Sequence, residues 1–379
     1  MKRIVAMLCV CVLLLCTTAC DTSLDDIFDE YEVYYDKGIA ALEQGDYLTA
    51  YTNLSAYVAV CDNLDAAETL EKLVFVPTEA ATQLEENTVS RYTYTYDKNG
   101  NLLEQKQAFA DTSLTTAYTY NEKGQLVTIR EETAADMTFT TTYAYDEAGN
   151  RTEKKVDRDG HVTTFRYTYD SENRCTSIKQ TDADGTTFLT TYRYDDKGNT
   201  TFERVDYADE SWHERHFTYN ADGKPSQETG SDFTGGSYET LYTYDGAGNL
   251  LSHGDFTYTY DEAGRLTMET QSGGSIIEYT YDEDGNVLTE HTTHTTGGEY
   301  FVTYTYDEKG NRLSLTYNNG EARTFTYDEY GNKTSESYTS VAGQKYLWQY
   351  VWALHYYPDG VPEEVEEIRL RAVNMQAVM

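Results

Sequence analysis

The sequence predicts a mainly β fold: a tandem array of antiparallel β-hairpins preceded by a small α-helical domain. Three observations carry that prediction. The stretch Tyr304-Thr-Tyr306-Asp307-Glu-Lys-Gly310-Asn311 recurs in close copies from about residue 90 to 340. The second tyrosines of these copies are Tyr96, Tyr120, Tyr145, Tyr169, Tyr194, Tyr219, Tyr244, Tyr260, Tyr281, Tyr306 and Tyr327, at spacings of 24, 25, 24, 25, 25, 25, 16, 21, 25 and 21 residues. Such regular self-similarity marks a repeat architecture. Residues 26–88, by contrast, hold no Tyr-x-Tyr and place apolar residues at helical spacing.

The chain opens with Met1-Lys2-Arg3 and an apolar run from Ile4 to Cys16. A charged start before a short hydrophobic stretch is the pattern of a secretory signal, and thirteen apolar residues are too few for a mature spanning helix. The run ends in Thr17-Thr18-Ala19-Cys20, which resembles the lipobox of bacterial lipoproteins. That resemblance implies cleavage after residue 19, a lipidated Cys20 and a tether over residues 20–25, in line with the acidic stretch Asp21–Asp29. Ordinary secretion with cleavage at the same place is the alternative.

Within residues 26–88, Gly38, Ala41 and Ala50 are small residues at positions where two helices would cross, and Gly45-Asp46 supplies a turn between them. The stretch from Gly38 to Leu54 resembles one tetratricopeptide-type helical hairpin. A third helix starts near Asp62-Asn63, with Asp or Asn as cap. One such unit cannot bury its own face, so a helical cap or stalk for the array is preferred to a peptide-binding groove. Pro77 to Ser90 is the expected junction.

One repeat follows from elementary geometry. In Tyr-x-Tyr both rings fall on one face of a strand, and the residue between them, usually Thr, points to the other. Asp-x-x-Gly suits a type I turn, with Asp accepting local backbone bonds and Gly tolerating positive φ. In one copy, Asp170-Ser-Glu-Asn173, Asn takes the place of Gly, and Asn is next best in the left-handed region. A second strand follows, and a second turn, such as Asp157-Arg-Asp-Gly160 or Asn318-Asn-Gly320, sends the chain back. Twenty-five residues therefore hold two strands and two turns. Residues 90–340 contain 27 tyrosines against 12 leucines, so neighbouring hairpins must bury aromatic rings with their hydroxyls reaching water or backbone. A lone hairpin is marginal in water, and stability must come from stacked neighbours.

The recurring Tyr-x-Tyr-Asp-x-x-Gly-Asn resembles the YD repeats of the RHS family, found in bacterial surface and toxin-shell proteins and in teneurins. The resemblance covers about two-thirds of the chain. It implies a spiralling β-sheet that can close into a hollow shell. The family's self-cleaving C-terminal segment has no match here, and cargo encapsulation is not carried over.

Beyond residue 340 the motif decays into a capping region, residues 341–379. There Tyr346-Leu-Trp348-Gln-Tyr350-Val-Trp352 alternates as a strand with four aromatic rings on one face. Closing the end of the core is the default role; a platform for sugar rings is the alternative. Pro362–Met379 reads as a last strand or a helix.

A net charge of −36, or −38 once Lys2 and Arg3 leave with the signal, excludes a nucleic-acid footprint and repels anionic membranes. The only membrane contact expected is the lipid anchor. Of six cysteines only Cys61 and Cys175 lie beyond Cys20, so no disulfide framework is expected. His213-x-x-His216 and His291-x-x-His294 place their rings on opposite faces of a strand and chelate poorly. The turns Asp97–Asn101 and Asp282–Asn286 cluster oxygens that calcium would favour, yet turn chemistry already explains each Asp and Gly. No cofactor is expected, with calcium the ion left open. No nucleophile elbow, base-paired cysteine or phosphate loop stands out, so no catalytic residue is assigned and enzyme activity is not expected.

The expected function is a lipoprotein on the outer face of a bacterial cell membrane, a non-catalytic scaffold that binds an extracellular ligand. Family resemblance and the tyrosine-rich strands make carbohydrate the first candidate, with Trp212, Tyr346, Trp348, Tyr350 and Trp352 as ligand-binding candidates. The competing expectations are a structural or protein-interaction module that docks a surface protein, and a remnant of a larger RHS toxin-shell protein.

Overall fold

In the computed structural model the Tyr-Asp-x-x-Gly copies form hairpin turns of one design, shown by residues 195–199. Asp195 N donates to Asn199 O at 2.9 Å and Gly198 N to Asp195 O at 3.0 Å. This is a type I turn closed by a left-handed residue, a three-residue hairpin loop with a bulge. Gly198 supplies the left-handed residue at φ +87°, and the ladder slips by one between Arg193 and Tyr194. Asn173, standing in for glycine, takes φ +61° as the sequence reading requires. The second turns are of more than one kind: Arg158 pairs with His161 across a two-residue loop in which Asp159 and Gly160 have φ +55° and +80°, the signature of a primed turn.

The structure describes residues 24–59, 64–84, 87–109, 112–133, 137–357 and 360–374. The predicted signal, Cys20 and Cys61 lie outside them. Among the described residues there are 24 strands, from β1 (Leu73–Leu84) and β2 (Asn87–Tyr96) through β3 (Leu102–Phe109) to β24 (Lys345–Tyr356). Each pairs with its chain neighbours, and β1 also pairs with β24, so the ladder returns to its start. From β3 to β24 every consecutive pair is antiparallel. The mainly β hairpin array is therefore present as predicted, and its ladder is closed.

The chain divides into two units. One comprises residues up to 80, 93–103 and 350 onward. It holds helices α1 (Leu24–Glu43), α2 (Tyr47–Val58) and α3 (Leu64–Glu71), and after the strands α4 (Glu363–Asn374). Asp46 caps α2 by accepting from Thr49 N at 3.2 Å. Gly38 lies where a Cβ would come within 2.7 Å of the Leu54 side chain, so α1 and α2 approach at the small residues picked out from the sequence. Ala41, Ala50, Leu54, Tyr57, Ala66 and Leu73 form this unit's core, with Leu354 and Tyr356 packed against it. The helices stop at Glu71, where the sequence reading ran the helical segment on to residue 88. Leu73-Val-Phe-Val76 is strand-favouring and opens β1, with Val76 fully buried. The tail is a helix, with Glu363, Glu364 and Glu366 in its first turn, where acids favour the dipole.

The other unit comprises residues 81–92 and 104–349. Along its strands the rings of each Tyr-x-Tyr are half-buried and the middle residue is exposed, as in Tyr143-Ala144-Tyr145 and Tyr167-Thr168-Tyr169. Phe217 and Phe325 stand in the first position of two copies, whereas the second is tyrosine in all eleven. Near the end of the array Val302, Leu315 and Phe325 form a small apolar core.

Candidate functional site

The second tyrosine of a repeat reaches back to the preceding hairpin. Tyr145 Oη donates to Leu126 O at 2.7 Å, Tyr169 to Arg151 O at 2.8 Å, Tyr194 to Cys175 O at 2.6 Å and Tyr219 to Thr200 O at 2.7 Å. Tyr244 reaches Pro225 O at 2.9 Å, Tyr260 Leu250 O at 2.9 Å, Tyr281 Leu266 O at 2.5 Å and Tyr327 Arg312 O at 2.9 Å. In the other unit Tyr96 reaches Pro77 O at 2.7 Å. The acceptor residue is the ladder partner of the preceding repeat's own second tyrosine: Leu126 lies opposite Tyr120, Arg151 opposite Tyr145 and Cys175 opposite Tyr169. Each hydroxyl thus satisfies a carbonyl beside the bulge, where the ladder is interrupted. Burial pushes the phenols of Tyr169, Tyr194, Tyr219, Tyr244, Tyr260, Tyr281 and Tyr327 up, which keeps them donors at neutral pH.

The turns are locked within and between repeats. Asp195 Oδ1 accepts from the backbone N of Lys197 and Asn199, both at 2.9 Å, and Oδ2 accepts from Asn199 Nδ2 at 2.9 Å. The Asn199 side chain, foremost, holds the Asp195 carboxyl below the usual range. A long side chain then crosses to a carbonyl of the next turn: Lys123 to Glu147 O at 3.2 Å, Arg174 to Asp195 O at 3.1 Å, Arg265 to Asp282 O at 3.2 Å and Lys309 to Glu329 O at 2.9 Å. Asp97 and Asp282 use their carboxylate oxygens in the same local way. Among the described residues no three His, Cys, Asp or Glu side chains are gathered to hold a metal ion.

Four of the five aromatic candidates share β24, and Trp212 lies on β12 (Trp212–Tyr219). Trp348 and Tyr350 are 7% and 5% exposed, so neither ring offers a face to solvent. Tyr346 is half-buried, with its ring 5.8 Å from Tyr338 and stacked 6.2 Å from Trp348. Trp352 packs 6.3 Å from Tyr350. Trp212 is half-buried under the Arg204 guanidinium, 4.5 Å from the ring, and Arg204 is held by Asp206 at 2.8 Å and Glu214 at 3.0 Å. His213 and His216 fall on opposite faces, the first against Tyr207 at 5.7 Å and the second against Phe202 at 5.0 Å. Cys175 is a free thiol whose pKa burial pushes up.

A shallow concave place among the described residues was not singled out from the sequence. It lies at the turn between β11 (Thr200–Asp206) and β12 (Trp212–Tyr219), beside β10 (Thr187–Tyr194). Phe188, Tyr207, Ala208, Asp209 and Ser211 line it. The Phe188 and Tyr207 rings meet edge to face at 5.9 Å and 89°. Tyr207 Oη lies 3.1 Å from His213 Nδ1. Asp209 accepts from Ser211 N at 3.0 Å and Ser211 Oγ at 2.5 Å, and the Ser211 hydroxyl foremost holds its carboxyl below the usual range. Glu210 sits in the left-handed region at φ +66°, a strained choice for a residue with a Cβ. The signal in the sequence was a turn, Tyr207-Ala-Asp-Glu-Ser211, that lacks the glycine of its counterparts. Trp212 does not join this cleft: Val205 pairs with His213 and Asp206 with Trp212, so Trp212 faces away from the His213 side that Tyr207 contacts.

Comparison with known families accounts for most of the array. The Teneurin YD-shell model matches residues 74–252, and the RHS repeat model matches residues 244–276, 260–299, 281–322 and 306–345. Among solved structures the chain is similar to the Photorhabdus luminescens Tc holotoxin pore carrying the mutation TccC3-D651A, at 17% identity and TM-score 0.39, over 67% of this chain and 16% of that one. It is similar to TcdB2-TccC3 without its hypervariable C-terminal region, at 17% identity and TM-score 0.41, over 69% of this chain and 16% of that one. A porin-like protein from Bacteroides uniformis matches at 14% identity and TM-score 0.24, over 73% of this chain and 96% of that one. The chain spans about a sixth of the length of the two toxin structures. No curated protein matches it.

Proposed function

Because this chain belongs to the RHS/YD-repeat family, we propose that it is a non-catalytic structural scaffold, displayed on the outer face of a bacterial cell membrane and held there by lipid at Cys20. The observation that carries the scaffold role is the row of tyrosine hydroxyls that ties most hairpins to a carbonyl of the one before. The polar groups that recur with the repeat bond to the array itself: Asp to its turn, Asn to Asp, and Tyr to the neighbouring hairpin. Such a ladder gives a long stiff surface without a reactive centre. An extracellular ligand, carbohydrate first or else a surface protein, is the partner that fits a surface of this kind. The match to a YD-shell model supports descent from a longer shell protein as a second reading.

Fractionation tests the placement. The full chain expressed in a bacterial host is expected in the membrane fraction and digestible by protease added to intact cells, and Cys20→Ala is expected to move it out of that fraction. Membrane association unchanged by Cys20→Ala, or protection from protease in intact cells, contradicts the proposal.

A further inference from the structure

The cleft at the β11–β12 turn brings two aromatic rings, a carboxylate and a hydroxyl together. Its walls are two aromatic rings at right angles, Phe188 and Tyr207. Its rim carries the exposed Asp209 carboxylate and the Ser211 hydroxyl. The hollow beside them is open to solvent and small, about 230 Å³, below the roughly 300–1,000 Å³ of drug-sized ligand pockets and on the scale of one ring. The turn that supplies the rim holds Glu210 at φ +66°, where its counterparts at 185 and 235 hold glycine at φ +87° and +85°. Strain of that kind collects at functional sites.

The chemistry of the cleft selects its ligand. An aromatic wall takes an apolar face, and a carboxylate beside it accepts hydroxyl donors, strongly because it is charged. One carboxylate is too few for a calcium site. Asp209 and Glu210 together, on a chain of net charge −36, disfavour an anion. A ring with one apolar C–H face and equatorial hydroxyls satisfies all three conditions. Resting on the reading of the array as an extracellular scaffold, we propose that the cleft formed by Phe188, Tyr207, Asp209 and Ser211 binds a single neutral sugar ring at the end of a glycan. The ring stacks on Tyr207, and its hydroxyls donate to Asp209. Trp212, on the opposite face, takes no part.

Saturation-transfer NMR on the full chain with the methyl glycosides of glucose, galactose, mannose and N-acetylglucosamine, and with glucuronate, tests this. Transfer to the ring protons of at least one neutral sugar and none to glucuronate is expected. Tyr207→Ala is expected to abolish it, and Asp209→Asn, an exposed change that spares the fold, to weaken binding by roughly tenfold. Trp212→Phe is expected to leave it intact. Absence of transfer from folded protein to every neutral sugar overturns the proposal, as does binding that survives both Tyr207→Ala and Asp209→Asn, or that is lost equally in Trp212→Phe. A blank in this assay leaves the fractionation result untouched, so the ligand and the scaffold placement fail separately.

Discussion

In the helical pair, Gly38 lets α1 and α2 close until a Cβ would sit 2.7 Å from Leu54, and the core is alanine, leucine and tyrosine. In the hairpin array, by contrast, most rings between strands are half-buried, and most repeats are fastened to the last by a hydroxyl on a carbonyl. One unit concentrates its stability in a few apolar contacts. The other spreads it over many bonds of modest net worth, about 0.5–1.5 kcal/mol each. Short, polar repeats can build a large surface in this way, because most additions bring their own fastening.

The contrast is broken most severely where the array departs from it. Glu336 is 1% exposed and bridges Arg323 at 2.5 Å and Lys333 at 2.9 Å, so Glu336→Ala takes a buried carboxylate from both cations and is expected to cost about 3–5 kcal/mol in chemical denaturation. Leu54→Ala empties a fully buried site of the helical core and is expected to cost about 2–5 kcal/mol, lowering the denaturation midpoint. Within the regular repeats a single Tyr219→Phe is expected to cost only about 1 kcal/mol.

Two pH effects sharpen the comparison. The turn carboxyls Asp195, Asp245 and Asp307 are held below their ordinary 3.8, chiefly by Asn199, Asn249 and Asn311. Their stabilisation is present above 3.8 and is lost as pH falls through the lower folded values. In the helical unit burial holds His355 below its ordinary 6.5 against the pull of Asp97. Its neutral form belongs to the folded state, so that unit loses stability as pH falls through 6.5 toward the lower folded value. Melting temperatures recorded from pH 8 to 3 are expected to show both losses, and His355→Gln is expected to flatten the first.

Much of the array was legible because its signals are local. Tyr-x-Tyr fixes a face, Asp-x-x-Gly fixes a turn, and Asn173 at φ +61° shows that the turn rule carries to its exception. The hydroxyl-to-carbonyl bond was harder to read, since it joins residues 18 or 19 apart in most repeats. Its trace is nonetheless present: phenylalanine enters the first aromatic position at Phe217 and Phe325 and never the second. The strand at Leu73 was hidden because a short apolar run fits helix and strand alike. Tyr346 to Trp352 were placed on a strand, as in β24, but burial of Trp348 and Tyr350 depends on what packs above a face, which alternation alone does not state. The Tyr207 cleft needs two strands and a turn brought together, and neither Phe188 nor Asp209 is distinguished in isolation.

The most direct test exchanges tyrosine for phenylalanine at the two positions of the same repeats. Tyr169→Phe with Tyr194→Phe removes two hydroxyls that hold carbonyls, and a loss of about 2 kcal/mol is expected from two bonds of about 1 kcal/mol each. Tyr167→Phe with Tyr192→Phe places phenylalanine where Phe217 and Phe325 already stand in other copies, and stability is expected to change little. Equal losses from the two double variants, or none from the first, contradict the claim that second-position hydroxyls fasten the array.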